Sequence, residues 1–391
     1  MKSRMAVALS VVLAACGGGG GGGATSSTSA ASAAPASSSA PAASATPASA
    51  TPASATPASG STAAVCSGGP FTTDATQVCS DASGKVVTAY VYAQPQTVIA
   101  DGTVISADTT WPASGSPYYI AGTVQVAKGA TLTIPDGVTV EGLKPVPCAS
   151  DCIGKIPTTG IIDVAGQLNV GGNDQVQLLG VTVSNVDANV GGGTVSIQHA
   201  HLEDAFVQIS PAAPFSMTYS QAYRLNVTPI VRAGVTTYQA GTNGYPSFKN
   251  STLKFNTFVD SAAFAFDPSV VMQNNLFVNM VDSLVLIDDF PVSGAPTGIA
   301  KNNSFLFKQN SPNTNRMVIA AHGTYSASTI HTLDFSNNFW GVTDNTTIQS
   351  RILDSTNTNN PQLPNVISYA PAAANADPAT PADPQGNVPN E

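Results

Sequence analysis

The chain is 391 residues long, 42% hydrophobic and only 9% charged, with a formal net charge of −9. Loss of an N-terminal leader carrying Lys2 and Arg4 leaves 12 of the 14 basic side chains against 23 acidic ones. So acidic and sparsely charged a chain is a poor partner for nucleic acid or anionic lipid.

Met1-Lys-Ser-Arg4 supplies a positive start and Met5 to Leu13 a short apolar run, the layout of an export signal and too short to span a bilayer. Leu13-Ala-Ala-Cys16 resembles a bacterial lipobox, which implies a signal peptide over 1–16 and lipidation (palmitate included) of Cys16. Gly17 after the cysteine, in place of Asp, implies passage to the outer membrane. Residues 17–65 begin with seven glycines and continue almost wholly in Ala, Ser, Thr and Pro, with Thr-Pro-Ala-Ser returning at Thr46, Thr51 and Thr56. Nothing there offsets the entropy of ordering, so the stretch is expected to be a disordered tether reaching on the order of 100 Å.

Four further cysteines, Cys66, Cys79, Cys148 and Cys152, enter an oxidising compartment if the chain is exported. They allow three connectivities, of which Cys66 with Cys79 and Cys148 with Cys152 is the simplest. The Cys148-Ala-Ser-Asp-Cys152 spacing misses the CxxC redox pattern and has no second thiol pair for a metal. Residues 66–116 read as a small β lead-in or cap. From Tyr118 apolar residues alternate in short runs: Ile120, Val124 and Val126, then Leu132 and Ile134, then Val138 and Val140. Turn signals separate them and no helix-length pattern intervenes, which argues against a βαβ fold.

Between Ser251 and Gly341 one phrase returns four times, as Asn256-Thr-Phe258, Asn275-Leu-Phe277, Asn303-Ser-Phe305 and Asn338-Phe-Trp340. Each copy sits on a segment with strand spacing. A unit of about 20 residues with loops spliced in is the mark of a solenoid. The asparagines are expected to stack at turns and the aromatics to fill the interior.

Two stretches carry a resemblance to a known group. Residues 117–140, Pro-Tyr-Tyr-Ile-Ala-Gly-Thr-Val-Gln-Val through Pro-Asp-Gly-Val-Thr-Val, and Asn337-Asn-Phe-Trp-Gly341 with Ile348, Ile352, Asp354 and Tyr369-Ala-Pro371, resemble the opening and closing coils of bacterial β-helix repeat proteins of the pectate-lyase (pectin lyase fold) type. The resemblance implies an all-β, single-stranded right-handed parallel β-helix over 117–371, and the Pro, Ala and Asp composition of 372–391 predicts a disordered tail after it. It says little of activity, because the same fold carries lyases, hydrolases, adhesins and stalks.

Candidate chemistry is thin. Tyr219, Tyr223, Arg224, Arg232, Tyr238 and Tyr245 gather in one irregular stretch, where aromatic faces beside arginines suit sugar recognition and equally suit loop packing. Asp288 and Asp289 are the best adjacent carboxylates for glycosidic cleavage, without a recognisable partner motif. His199, His201 and Glu203, two apart on one strand, could offer three ligands to a metal or merely a solvated strand face. No cofactor is expected; a Ca²⁺ site, which a lyase would need, has no motif behind it. The expected role is structural, adhesive or carbohydrate-binding, at the periplasmic or the surface face of the outer membrane, with polysaccharide or a surface protein as partner. The alternative is a polysaccharide lyase or glycoside hydrolase.

Overall fold

The computed structural model describes residues 65–67, 76–80, 86–90, 96–142, 160–185, 192–210, 213–232, 235–240, 247–248, 251–262, 264–266, 269–288, 299–312, 316–323, 332–357 and 365–391. All of them belong to one compact unit, Ala58–Glu391. The signal, Cys16, most of the tether, Cys148, Cys152, Tyr245 and Asp289 lie outside the described residues.

The unit is nearly all β, and its core is a parallel β-helix. Each of the first eight coils contributes one strand to each of three sheets, and the ninth gives its third strand, Thr332–Asp334, to a separate pair with Val366–Ser368. Sheet 1 has nine parallel strands, and they number the coils: Thr97–Ile99, Tyr118–Ile120, Thr139–Glu141, Val176–Leu179, Ala200–Glu203, Gln221–Tyr223, Thr257–Val259, Leu276–Val278 and Ser304–Leu306. Sheet 2 comes next in each coil, as five strands from Thr103–Ile105 to Phe206–Gln208 and then a separate five from Ser247–Phe248 to Ile352–Leu353. Sheet 3 runs from Thr109–Thr110 to Ile299–Lys301 in eight strands and returns the chain to sheet 1. The solenoid therefore begins at Thr97, some 20 residues before the alternation makes it legible. Ahead of it, Val65–Ser67, Thr76–Ser80 and Val86–Tyr90 form an antiparallel sheet whose register sets Cys66 opposite Cys79.

Alternation decides what is inside. In sheet 1, Val140, Leu178, Leu202, Ala222, Phe258, Phe277 and Phe305 occupy one column and all are buried. Their neighbours on either side face outward. The three phenylalanines stack at 5.0 and 5.1 Å between ring centroids, and Trp340 continues the column at 5.4 Å. Beyond it a six-residue helix, Asn345–Ser350, capped by the Asp344 carboxylate, buries Ile348 over the open end. A solenoid needs such a cover, because its last coil has no neighbour to bury it.

The corner between sheets 3 and 1 turns in one residue of left-handed backbone per coil: His199, Tyr219, Phe255, Asn274, Asn302 and Asn337, with φ between 48° and 61°. The residue after each is buried, and from coil 7 onward it is asparagine. Asn256 Nδ2 donates to Asn275 Oδ1, Asn275 Nδ2 to Asn303 Oδ1 and Asn303 Nδ2 to Asn338 Oδ1, each at 3.0 Å. Every Oδ1 also accepts the backbone N–H of the preceding coil, at 3.1, 3.0 and 2.8 Å. The corner between sheets 2 and 3 is tight for another reason. A Cβ on Gly166 would stand 2.2 Å from the Ala130 carbonyl oxygen, and one on Gly193 2.2 Å from that of Gly166, so only glycine fits.

Residues 372–391, expected to lack structure, instead run back over the outer face of sheet 1. Glu391 N donates to Phe307 O at 2.9 Å and Thr380 Oγ1 to Asn302 O at 2.8 Å.

Asn275 makes four side-chain hydrogen bonds in a dry interior. Its replacement by Ala leaves a buried N–H and two amides short of partners, and is expected to cost about 3 kcal/mol or more of unfolding free energy in chemical denaturation. A loss under about 1 kcal/mol would mean the ladder is decorative.

Candidate functional site

Three six-residue segments, 199–204, 219–224 and 255–260, lie side by side in coils 5 to 7 and form one patch. In each, the first and last residues sit on left-handed corners and the third and fifth face outward from sheet 1. The outward rows are His201, Gln221 and Thr257, then Glu203, Tyr223 and Val259. Corner rows flank them: His199, Tyr219 and Phe255 on one side, Asp204, Arg224 and Asp260 on the other. Left-handed backbone is ordinary for Asn and Asp and strained for Tyr, Phe and Arg. Strain of this kind gathers where a surface is under functional constraint.

The charged corner is closed on itself. Arg224 Nε donates to Asp204 Oδ1 at 2.6 Å and its Nη2 to both Asp204 Oδ2, at 3.3 Å, and Glu203 Oε1. His201 Nε2 stands 3.3 Å from Glu203 Oε2. The His201 hydrogen bond, then the charge of Arg224, hold the Glu203 carboxyl down at about 2 against the opposing effect of burial. Asp260 moves the other way. Burial pushes it up, with Asn279 and Arg224 offsetting only part of the shift. Two carboxyls within reach of one guanidinium thus differ in their readiness to hold a proton.

The aromatic corner is closed too. Tyr219 is 51% exposed, yet its ring is sandwiched in parallel between His199, at 5.1 Å, and Phe255, at 4.7 Å. Both faces are occupied and only the edge meets solvent, so Tyr219 is no stacking platform. Tyr223 differs. It is half-buried on the sheet face, with the His201 ring tilted against it at 5.3 Å.

The other expected residues fall elsewhere. Arg232 and Tyr238 lie on an antiparallel hairpin, Val227–Arg232 with Val235–Ala240, inserted after this patch in coil 6. Asp288 ends the sheet 2 strand Leu284–Asp288, opposite Gly323, and is not on sheet 1, whose corner carries Arg224. The expected line of His199, His201 and Glu203 on one strand face does not form. His199 occupies the corner before the strand, where the period of two has not begun; its Nδ1 meets Gly172 O at 2.7 Å, while Glu203 is tied to Arg224. Among the described residues no group of three His, Cys, Asp or Glu could hold a metal ion.

Sequence reasoning missed Asp204, Gln221 and Phe255 as members of the patch. The signal was a degenerate form of the repeated phrase. Ala200-His-Leu202 and Ser220-Gln-Ala222 occupy the register of Asn256-Thr-Phe258, and Ser220 N donates to Asn256 Oδ1 at 3.0 Å where an asparagine would continue the ladder. No protein-family model, curated protein or solved structure matches the chain.

Because Glu203 is held below the usual carboxyl value of 4.5, its contribution to stability is complete above about pH 4.5 and is lost as pH falls toward 2. Glu203→Gln is expected to flatten the acid limb of a stability-against-pH curve across that window. Equal slopes in both proteins would place the acid sensitivity elsewhere.

Proposed function

We propose that this chain is an exported, lipid-anchored protein akin to the β-helix surface lipoproteins of the pectate-lyase type, and that it binds polysaccharide at the outer face of coils 5 and 6. Cys16 would carry the anchor, at the outer membrane, and the tether would hold the solenoid away from it. The register that sets Cys66 opposite Cys79 supports a disulfide between those strands, since directly opposed antiparallel residues lie within the Cα separation a disulfide spans.

One observation carries the binding reading: Tyr223 stands half-buried on the outer face of sheet 1 between Glu203 and Val259, with polar Gln221 and His201 in the row before it, beside charges already paired with one another. Such a face offers stacking surface and hydrogen bonds while demanding no counter-charge from the ligand. Tyr223→Ala is expected to weaken glycan binding by about 1 kcal/mol or more, roughly fivefold, with the circular dichroism spectrum unchanged. A glycan array probed with the full chain is the measurement, and unaltered binding by the variant would remove Tyr223 from the site.

A second reading, a lyase or glycoside hydrolase, is favoured by the divergence of Asp260 and Glu203 around Arg224. A carboxyl whose hold on a proton is strengthened beside one whose hold is weakened is the direction of division that an acid and a base need. Release of reducing ends or unsaturated uronates, abolished by Asp260→Asn, would establish this reading over the first.

Attachment has its own test. Cys16→Ala is expected to shift the protein out of the membrane fraction or leave it unprocessed, and native protein that takes up no labelled fatty acid would overturn the anchor.

A further inference from the structure

On the outer face of coils 7 to 9, Val259, Leu276, Val278 and Leu306 are buried although they alternate outward from the inward phenylalanines. Residues 377–391 hold both rims of this strip. On the rim toward sheet 3, Asp377 Oδ1 accepts from Asn274 Nδ2 at 3.1 Å and Thr380 Oγ1 donates to Asn302 O. The segment then crosses the strip. On the rim toward sheet 2, the Asp383 carboxylate pairs with the Lys308 ammonium, Gln385 Oε1 accepts from Asn279 Nδ2 at 3.3 Å, and Val388 O accepts from Lys308 Nζ at 2.9 Å.

Two turns shape the segment for this path. Asp377-Pro378-Ala379-Thr380 and Asp383-Pro384-Gln385-Gly386 each close by a bond back to the Asp carbonyl, at 2.9 and 3.2 Å. Each Asp Oδ1 also accepts the N–H two residues on, at 2.8 Å. Proline at the second turn position presets the bend. The carboxylates therefore recur six residues apart in fixed directions, one to each rim.

The strip cannot stay bare at little cost. Lys308 is 2% exposed, and the acceptors found at its ammonium come from this segment. Arg316 and Arg351 lie over the Phe307 ring at 5.3 and 4.8 Å, and Glu391 pairs with Arg316. Three cations are thus gathered in a chain of net charge −9, and two carboxylates of the segment, Asp383 and Glu391, meet Lys308 and Arg316 among them.

We propose that this face is a peptide-docking groove that recognises an extended acidic segment with two Asp-Pro turns six residues apart, and that a second copy of the chain fills it with its own residues 377–391 in exchange. The linker between the solenoid and the docked segment, Ala374 to Ala376, is exposed, which suits a hinge. An exchanged segment makes the same contacts as a resident one, so concentration and hinge freedom set the balance.

A paired charge reversal tests the exchange. The full chain with Lys308→Asp and the full chain with Asp383→Lys each oppose like charges within themselves, while a mixture restores both pairs only across two copies. The mixture is expected to give a dimer by light scattering with residues 377–391 protected from protease, each variant alone being a monomer with the segment cleaved. A mixture that stays monomeric and cleavable overturns the exchange. A second measurement stands if Lys308→Asp fails to fold: a fluorescent synthetic peptide of residues 377–391, titrated into the unaltered chain. Saturable binding, about tenfold weaker for the peptide carrying Asp383→Ala, supports the groove, and no binding, or equal binding of the two peptides, sinks it.

Discussion

At the corner between sheets 3 and 1 each coil turns a backbone N–H into the interior, where no strand partner stands opposite it. A buried donor left there would cost on the order of 1–3 kcal/mol per coil. The asparagine of the next coil supplies the acceptor and passes an amide N–H onward, so that Asn256, Asn275 and Asn303 each satisfy a neighbour and depend on the next, while Asn338 ends the ladder by donating to the Ala300 and Phe335 carbonyls. This requirement fixes the register of the coils. Once register is fixed, Phe258, Phe277, Phe305 and Trp340 must fall in one column, and the corner residues before the asparagines must all be left-handed. In coil 6 Ser220 accepts through its hydroxyl from Ala200 N, a shorter side chain answering the same need.

What could be read in the sequence follows from this. An amide that must be buried and must repeat leaves a mark that survives variable loop length, so the last coils were legible from four short phrases. Coil 1 was not, because Val98 and Val104 face solvent and break the alternation that would have marked Thr97 as its start. The segment 372–391 was misread for a physical reason. Its order rests on carboxylates meeting Lys308 and Arg316 and on two proline turns, and none of these registers as apolar periodicity. The tyrosine and arginine cluster stood out by composition. That Tyr219 belongs to a corner and Tyr223 to a face was hidden, because the period of two restarts after every left-handed residue.

The patch on coils 5 to 7 has the character of a surface set rigid at some expense. Tyr219, Phe255 and Arg224 occupy a backbone conformation their side chains disfavour, and each is held by a neighbour one coil away: rings against rings on one corner, a guanidinium against Asp204 and Glu203 on the other. The same contacts that offset the strain use up the groups that make them, and His201 is tied to Glu203, which leaves Tyr223 and Gln221 as the chemistry offered outward. Fixing such groups in advance reduces the ordering a ligand must impose on binding.

Parallel strands in register also make the solenoid a ruler. Successive coils stand about 4.8 Å apart, so a linear polymer laid along the axis meets an equivalent backbone frame at each step while the side chains change from row to row. A ligand whose repeat matched that interval would meet several coils at once, and one whose repeat drifted would lose alignment within a few units. The graduation in sheet 1 stops where residues 377–391 cross it at coils 7 to 9, and the usable length of the ruler is set by that crossing.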